Sequence, residues 1–330
     1  MNQVNRKKRF PSRGRLLRWA GTLLSSALFV WLIARQDWAR TWDRLAQSPV
    51  WILPLVFALY FLGQVLNSLR WANLLRAQEL KVPFVEVLKM VLTGAFASNF
   101  LPTTIGGDTV RVISLLRFNA SWGVSVASVV MDRFLNVLAM FTILPFSFLV
   151  FGDPAEFFQK IRGLQPVGPA LAGIGLANGL VGKWTAKFSR WIGRIRQIMA
   201  AWVQHPRVLL GSFALSWASS FVIFIAIWIL ARGLGMPVSL YQVMGVMALS
   251  YSINLLPISI NGYGVREIAL TTLYVHVGAT LEQASTLAVV TRFILLLEAL
   301  PGALWLPSAV PSINGGAKHG GAKLGEEETA

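Results

Sequence analysis

The chain has 330 residues, of which 55% are hydrophobic and only 13% charged, and it contains no cysteine. A soluble domain has about a quarter of its residues charged, so the composition excludes one; the missing cysteines exclude disulfides, thiolate chemistry and Cys-ligated metals. The formal net charge of +16 is clustered beside apolar segments, which points to a membrane surface and away from nucleic acid as a partner.

In chain order, the first eighteen residues carry Arg6, Lys7, Lys8, Arg9, Arg13, Arg15 and Arg18 with no acid among them. The apolar run Leu17–Ala34 is followed by Arg35-Gln36-Asp37 and not by a small-residue cleavage site, so a retained helix is expected. Val50–Ser68, Gly123–Phe151, Val208–Ala231 and Ser285–Leu306 also approach the ~20 residues that span a bilayer. Arg70, just past the second run, reads as an interfacial anchor. Residues 166–182 form a weaker, Gly- and Pro-rich crossing. A second basic cluster follows, with Lys183, Lys187, Arg190, Arg194, Arg196 and Arg207. Within it Trp184, Phe188, Trp191, Ile195, Ile198 and Trp202 recur at helical spacing opposite the basic residues. An amphipathic helix over 183–204, lying on an anionic leaflet, is expected. Both basic clusters belong on the cytoplasmic side, which places both termini inside an integral cytoplasmic (inner) membrane protein. Residues 307–330 are Gly-rich and polar and read as a disordered tail. The expected fold class is an all-α polytopic membrane protein, a single transmembrane domain over 1–306 with about six full spans plus two re-entrant or broken segments.

Residues 99–113, NFLPTTIGGDTVRVI, have a twin at 254–268, NLLPISINGYGVREI. Asn99/Asn254, Leu101/Leu256, Pro102/Pro257, Ile105/Ile260, Gly107/Gly262, Val110/Val265, Arg111/Arg266 and Ile113/Ile268 match at one offset without gaps. Downstream, VVMDRFL at 129–135 resembles VVTRFIL at 289–295, with Arg133 matched to Arg292. A duplicated unit of spanning helix, interrupted segment and spanning helix follows, with repeat one at about 50–151 and repeat two at about 208–306. Three crossings between the twins would make the copies inverted, the arrangement that the loop charges favour. If 166–182 does not span, they are parallel.

Pro102 and Pro257 interrupt helices at membrane depth, where bare backbone groups cost several kcal/mol each unless they face protein or a wet cavity. A second helix restarting at about Asp108 or Gly264 would turn its free N–H groups to that cavity and favour an anion. Arg111 and Arg266, expected in the first turn, add a fork suited to phosphate. Asn99, Gly107, Arg111, Asn254, Asn261, Gly262 and Arg266 are therefore the candidate substrate-binding residues. The plainer alternative is that the asparagines bond across helices and the arginines snorkel to an interface. Asp108, Asp132, Arg133, Glu267, Arg292 and Glu298 are candidates for ion coupling, proton carriage or intramembrane ion pairs. Arg292 and Glu298, six residues apart, cannot pair with each other and should reach Arg266 or Glu267. Copy one keeps its acid before the arginine (Asp108) and copy two after it (Glu267). His205, His276 and His319 are isolated, and no metal-ligand spacing, cofactor motif or catalytic constellation is present.

In LNSLRW at 66–71, NFLPTTIGGDTVR at 99–111, MDRFLN at 131–136 and PISINGYGVRE at 257–267, the chain resembles the lysylphosphatidylglycerol-synthase transmembrane region, also called the flippase-like or YbhN-like membrane family. The resemblance covers about residues 15–306. It implies a helical bundle of about eight membrane segments and a role in moving lipids across the bilayer. In bifunctional relatives a soluble aminoacyl-transferase domain follows the membrane part; residues 307–330 could not fold into one, so aminoacyl transfer is not expected. The expected function is a flippase or transporter for an anionic phospholipid or lipid-linked phosphate. GGDTVR lacks the Lys-Ser/Thr ending of a P-loop, so transport would be passive or ion-coupled. The alternatives are an integral-membrane transferase acting on a lipid or polyprenyl phosphate, with Asp108 or Glu267 as base, and an accessory subunit of a lipid-modifying membrane enzyme.

Overall fold

The computed structural model describes residues 49–100, 106–152, 202–254 and 264–306. Every regular element among them is helical. These are α1 (Ile52–Arg76), α2 (Phe84–Phe100), α3 (Gly106–Leu115), α4 (Trp122–Ile143), α5 (Pro145–Phe151), α6 (Pro206–Gly233), α7 (Leu240–Asn254), α8 (Val265–His276) and α9 (Leu281–Ala299), the last continuing as a 3-10 stretch, Leu300–Trp305.

Four stretches are long and apolar enough to cross a membrane: Ile52–Arg76, Trp122–Phe151, Pro206–Gly233 and Leu281–Trp305. The shortest has 25 residues, about 37 Å at ~1.5 Å per residue, against ~30 Å of hydrocarbon. They coincide with four of the five apolar runs. The run Leu17–Ala34, the segment 166–182, the amphipathic helix up to residue 201 and the tail 307–330 lie outside the described residues. Leu53, Phe57 and Leu62 on α1, Phe134, Leu138 and Phe141 on α4, and Phe293 and Leu297 on α9 all point outward. So much outward apolar surface on spanning helices suits lipid and not water; this is an integral membrane protein.

The described helices outside these stretches are all shorter than the hydrocarbon layer, α2 and α7 being the longest of them. α2 has 17 residues and α7 has 15, about 26 and 23 Å. After α2 the chain returns alongside it. Gly107 of α3 meets Gly94 and Ser98, and Arg111 packs on Gly94, so α2 and α3 form a hairpin. The contact needs glycine: a Cβ on Gly107 would run into the Gly94 carbonyl and the Ser98 hydroxyl. Gly107→Ala is expected to cost about 1–3 kcal/mol through overpacking, read as a lower melting temperature in detergent. Gly211→Ala on α6, where a Cβ meets nothing within 4 Å, should leave melting unchanged or slightly raised.

The two halves contact each other reciprocally. α1 packs along α6; α1 touches α9 while α6 touches α4; α2 touches α9 while α7 touches α4. α5, which extends α4, packs on α7, and the 3-10 extension of α9 packs on α2. Ser147 donates to the Gly245 carbonyl at 2.7 Å in the first of these contacts, and Gly302 sits against the Leu92 carbonyl in the second. Both extensions begin at a proline, Pro145 and Pro301, which removes a backbone donor and bends the helix. α4 and α9 also start alike: Ser121 accepts from the Val124 amide at 3.3 Å, and Thr280 from the Gln283 amide at 3.2 Å. Along the α1–α6 contact Gly63 meets Ile223 and Arg70 meets Ser216, so one helix advances as the other retreats. These two helices, each opening its half, run antiparallel.

Trp202 departs from expectation. Its helical spacing puts it on the lipid-facing side of the amphipathic helix, yet it is fully buried against Leu74, Ala127, Met131 and Leu135. Its indole donates to the Leu74 carbonyl at 2.9 Å. An indole that finds a backbone acceptor inside the protein is satisfied there, so helical spacing alone misassigned it.

Candidate functional site

A cavity of about 240 Å³ lies among α1, α2, α3 and α4. Its wall is mostly polar: Gln64, Asn67 and Arg70 from α1, Ser98 from α2, Asp108 and Arg111 from α3, and Asp132, Arg133 and Asn136 from α4, with Val91, Gly94, Ala95 and Gly107 between them. Asp132 is the hub. Its Oδ1 accepts from Arg70 Nε at 2.7 Å and its Oδ2 from Arg111 Nη2 at 2.9 Å. Arg70 Nη1 also donates to Ser216 at 3.1 Å and Asn136 at 3.3 Å, and Asn136 donates to the Tyr251 hydroxyl at 3.0 Å. The Arg111 guanidinium lies 4.1 Å from the centre of the Trp71 ring, within cation–π reach. Asp108 is gripped by Arg133 through two bonds of 3.1 Å, a bidentate fork. Three arginines against two aspartates leave the cavity one positive charge in excess.

A second cluster belongs to the other half. Glu267 Oε1 accepts from Arg292 Nε at 2.6 Å, and its Oε2 accepts from the Gly264 amide at 2.8 Å. Glu298 Oε1 accepts from Gln64 Nε2 at 2.9 Å. Arg266 lies within electrostatic reach of Tyr60, Glu267, Arg292 and Glu298. Two arginines and two glutamates make this cluster neutral, and Glu267, Arg292 and Glu298 are buried.

Of the candidate binding residues, Gly107 and Arg111 line the cavity, and Arg266 falls in the second cluster. Asn261 and Gly262 lie outside the described residues. Asn99 and Asn254 donate to carbonyls four residues back, Ala95 at 2.9 Å and Ser250 at 2.8 Å, near the ends of α2 and α7. Neither is among the residues lining the cavity. Asp108, Asp132 and Arg133 line the cavity, and Glu267, Arg292 and Glu298 share the second cluster, where Arg292 reaches Glu267 as its spacing required.

Three expectations need correction. Arg70 is not an interfacial anchor: it is 4% exposed and bonded to Asp132, because α1 continues to Arg76 and holds Arg70 nearly two turns before its end. Arg111 is in the second turn of its helix, since α3 starts at Gly106. Gly264 does not offer a bare amide to an anion, because Glu267 already caps it. Arg133 and Arg292, matched in the sequence, each bond the acid at the third position of the preceding helix, Asp108 and Glu267. In the register that aligns the two VV pairs, Asp132 stands where Arg292 stands, and each bonds the preceding helix: Asp132 to Arg111, Arg292 to Glu267. Asp108 and Glu267 are likewise equivalent in place, each the third residue of its helix.

Tyr60, Gln64, Asn67 and Arg70 escaped sequence reasoning as site residues. Their three- and four-residue spacing, which puts them on one face of α1, was the available signal.

Among the described residues, four spanning stretches, four shorter helices and a charged cavity among α1–α4 define a polytopic helical membrane protein with an internal polar site. Residues 18–302 match the family described as lysylphosphatidylglycerol synthase TM region, and the chain belongs to that family. It is similar to UPF0104 membrane protein PH1989 of Pyrococcus horikoshii, at 22% identity over 310 residues, covering 83% of this chain and 89% of that protein. No solved structure matches the chain.

Proposed function

We propose that the protein moves an anionic phospholipid or lipid-linked phosphate across the cytoplasmic membrane, with the headgroup held in the cavity of the first half. The observation that carries this reading is the position of Arg133. It lines the cavity, its side chain is 58% exposed, and on α4 it stands beside the outward-facing Val130 and Phe134. A headgroup entering there would meet a guanidinium while its acyl chains stayed in hydrocarbon. A cavity of 240 Å³ has room for about eight waters at ~30 Å³ each, which suits a phosphate with a small substituent and not an acyl chain.

In this reading the two halves are inverted repeats. The antiparallel run of α1 and α6 and the reciprocal contacts between halves support a two-fold axis in the membrane plane. The α2–α3 hairpin, and α7 with α8, would then be re-entrant segments approaching from opposite sides, and transport a rocking of one half on the other. A transferase would need Asp108 or Glu267 as base. Both are held in arginine pairs, so transport is the better supported reading.

The test is a vesicle assay. Protein reconstituted in phosphatidylcholine with a trace of fluorescent phosphatidylglycerol should accelerate its movement between leaflets, followed by quenching from outside. Arg133→Ala should slow it about tenfold or more, as loss of a charge-assisted bond of ~1.5–3 kcal/mol implies. Movement no faster than in protein-free vesicles would overturn the proposal.

A further inference from the structure

Four carboxylates lie inside the described bundle, and three of them are neutralised by arginine: Asp108 by Arg133, Asp132 by Arg70 and Arg111, and Glu267 by Arg292. Glu298 is bound differently. It is 2% exposed, and its hydrogen bond is to a neutral donor, Gln64 Nε2 at 2.9 Å. Its second oxygen, Oε2, is buried with no hydrogen-bond partner among the described residues. Gln64 is also part of the cavity wall, so one carboxamide touches both Glu298 and the anion site.

An amide has a donor end and an acceptor end, whereas an ionised carboxylate only accepts. With Glu298 charged, Gln64 must give it the NH2 end, as observed, which leaves the carbonyl oxygen for the cavity. With Glu298 protonated, its O–H can donate to the Gln64 carbonyl. The amide then turns over and presents NH2 to the cavity, where an anionic oxygen can accept it. Building on the transport reading above, we propose that Glu298 is a proton-binding site coupled through Gln64 to the anion site, so that proton and anionic headgroup bind together. The proton comes from solvent and resides on Oε1, the oxygen that faces Gln64; no other covalent bond is made or broken.

The neighbours fit this role. Among the described residues, Arg266 on α8 and Tyr60 on α1 are in electrostatic reach of Glu298. On α9 itself Arg292 is taken by Glu267. The charged residues of α2, Glu86 and Lys89, pair with each other at 2.7 Å, and those of α6, Arg207 and Arg232, sit at its two ends. A headgroup phosphate entering the cavity adds negative charge and favours protonation of Glu298. Protonation in turn favours the phosphate, as linkage requires.

The test is an infrared pH titration of the reconstituted full-length protein, in phosphatidylcholine vesicles with and without phosphatidylglycerol. The expected result is a protonated-carboxyl band that disappears as pH rises. Its midpoint should move up by about one pH unit when phosphatidylglycerol is present, the shift a tenfold coupling gives. Glu298→Gln should remove the band. Gln64→Leu should keep the band and abolish the lipid-dependent shift, a separation that a merely structural role for Gln64 would not produce. A band that is absent, that survives Glu298→Gln, or that ignores phosphatidylglycerol overturns the proposal. Lipid movement in the vesicle assay with none of these infrared signatures would overturn the coupling alone. The signatures without lipid movement would overturn the transport reading and leave the proton site standing.

Discussion

Asp132→Ala should destabilise the protein by about 3–5 kcal/mol, the range for removing one partner of a buried ion pair. Asp132 is the shared acceptor for Arg70 and Arg111, at 2.7 and 2.9 Å, and all three are buried. Deleting it strands two guanidinium charges side by side, with Asn136 and Ser216 as the neutral acceptors left to Arg70. Arg111 would keep its contact with Trp71 and a 3.8 Å approach to Asp108. The measurement is thermal unfolding in detergent, with Ser216→Ala as the comparison. Losing one neutral acceptor there should cost only about 0.5–1.5 kcal/mol. Equal melting of the two variants would show that the carboxylate is not the hub.

Glu267→Ala is the second large effect. One side chain does two jobs: Oε1 neutralises Arg292 and Oε2 caps the Gly264 amide that opens α8. The expected loss is again about 3–5 kcal/mol for the stranded charge, with roughly 1 kcal/mol more for the cap. Pairing makes the prediction sharper. Arg292→Met alone leaves Glu267 buried without its cation. Glu267→Gln with Arg292→Met removes both charges and should melt closer to the native protein than either single variant, because the penalty comes from the unpaired ion. Additive losses would contradict the pairing.

The fold was largely legible because lipid imposes a simple pattern. Long apolar runs marked the four described spans, and the two copies of one broken-helix motif fall at the ends of α2 and α7, the two longest helices outside those spans. The site was legible only where charge interrupted those runs, at Asp108, Arg111, Asp132, Arg133, Glu267, Arg292 and Glu298. What the sequence hid was the contribution of α1. Tyr60, Gln64 and Asn67 are neutral, so they do not stand out inside an apolar run. Arg70 looked terminal because the apolar run fades at Ser68 while the helix continues to Arg76. The matched asparagines do not line the cavity. A short carboxamide near a helix end can bond its own backbone, and both do so. Asp108 and Glu267 looked displaced from each other because the arginine was taken as the reference. Counted from the helix starts, they occupy the same position.

The polar wall contributed by α1 also gives the most direct test of a water-accessible cavity for anionic headgroups. With no native cysteine, Asn67→Cys can report on that wall, and Phe134→Cys on the outward face of α4. The protein in phosphatidylcholine vesicles should let a membrane-impermeant thiol reagent label position 67 and not position 134, and added phosphatidylglycerol should slow labelling at 67. Protection of position 67, or labelling there at a rate indifferent to the anionic lipid, would contradict a headgroup site in the first half of the bundle.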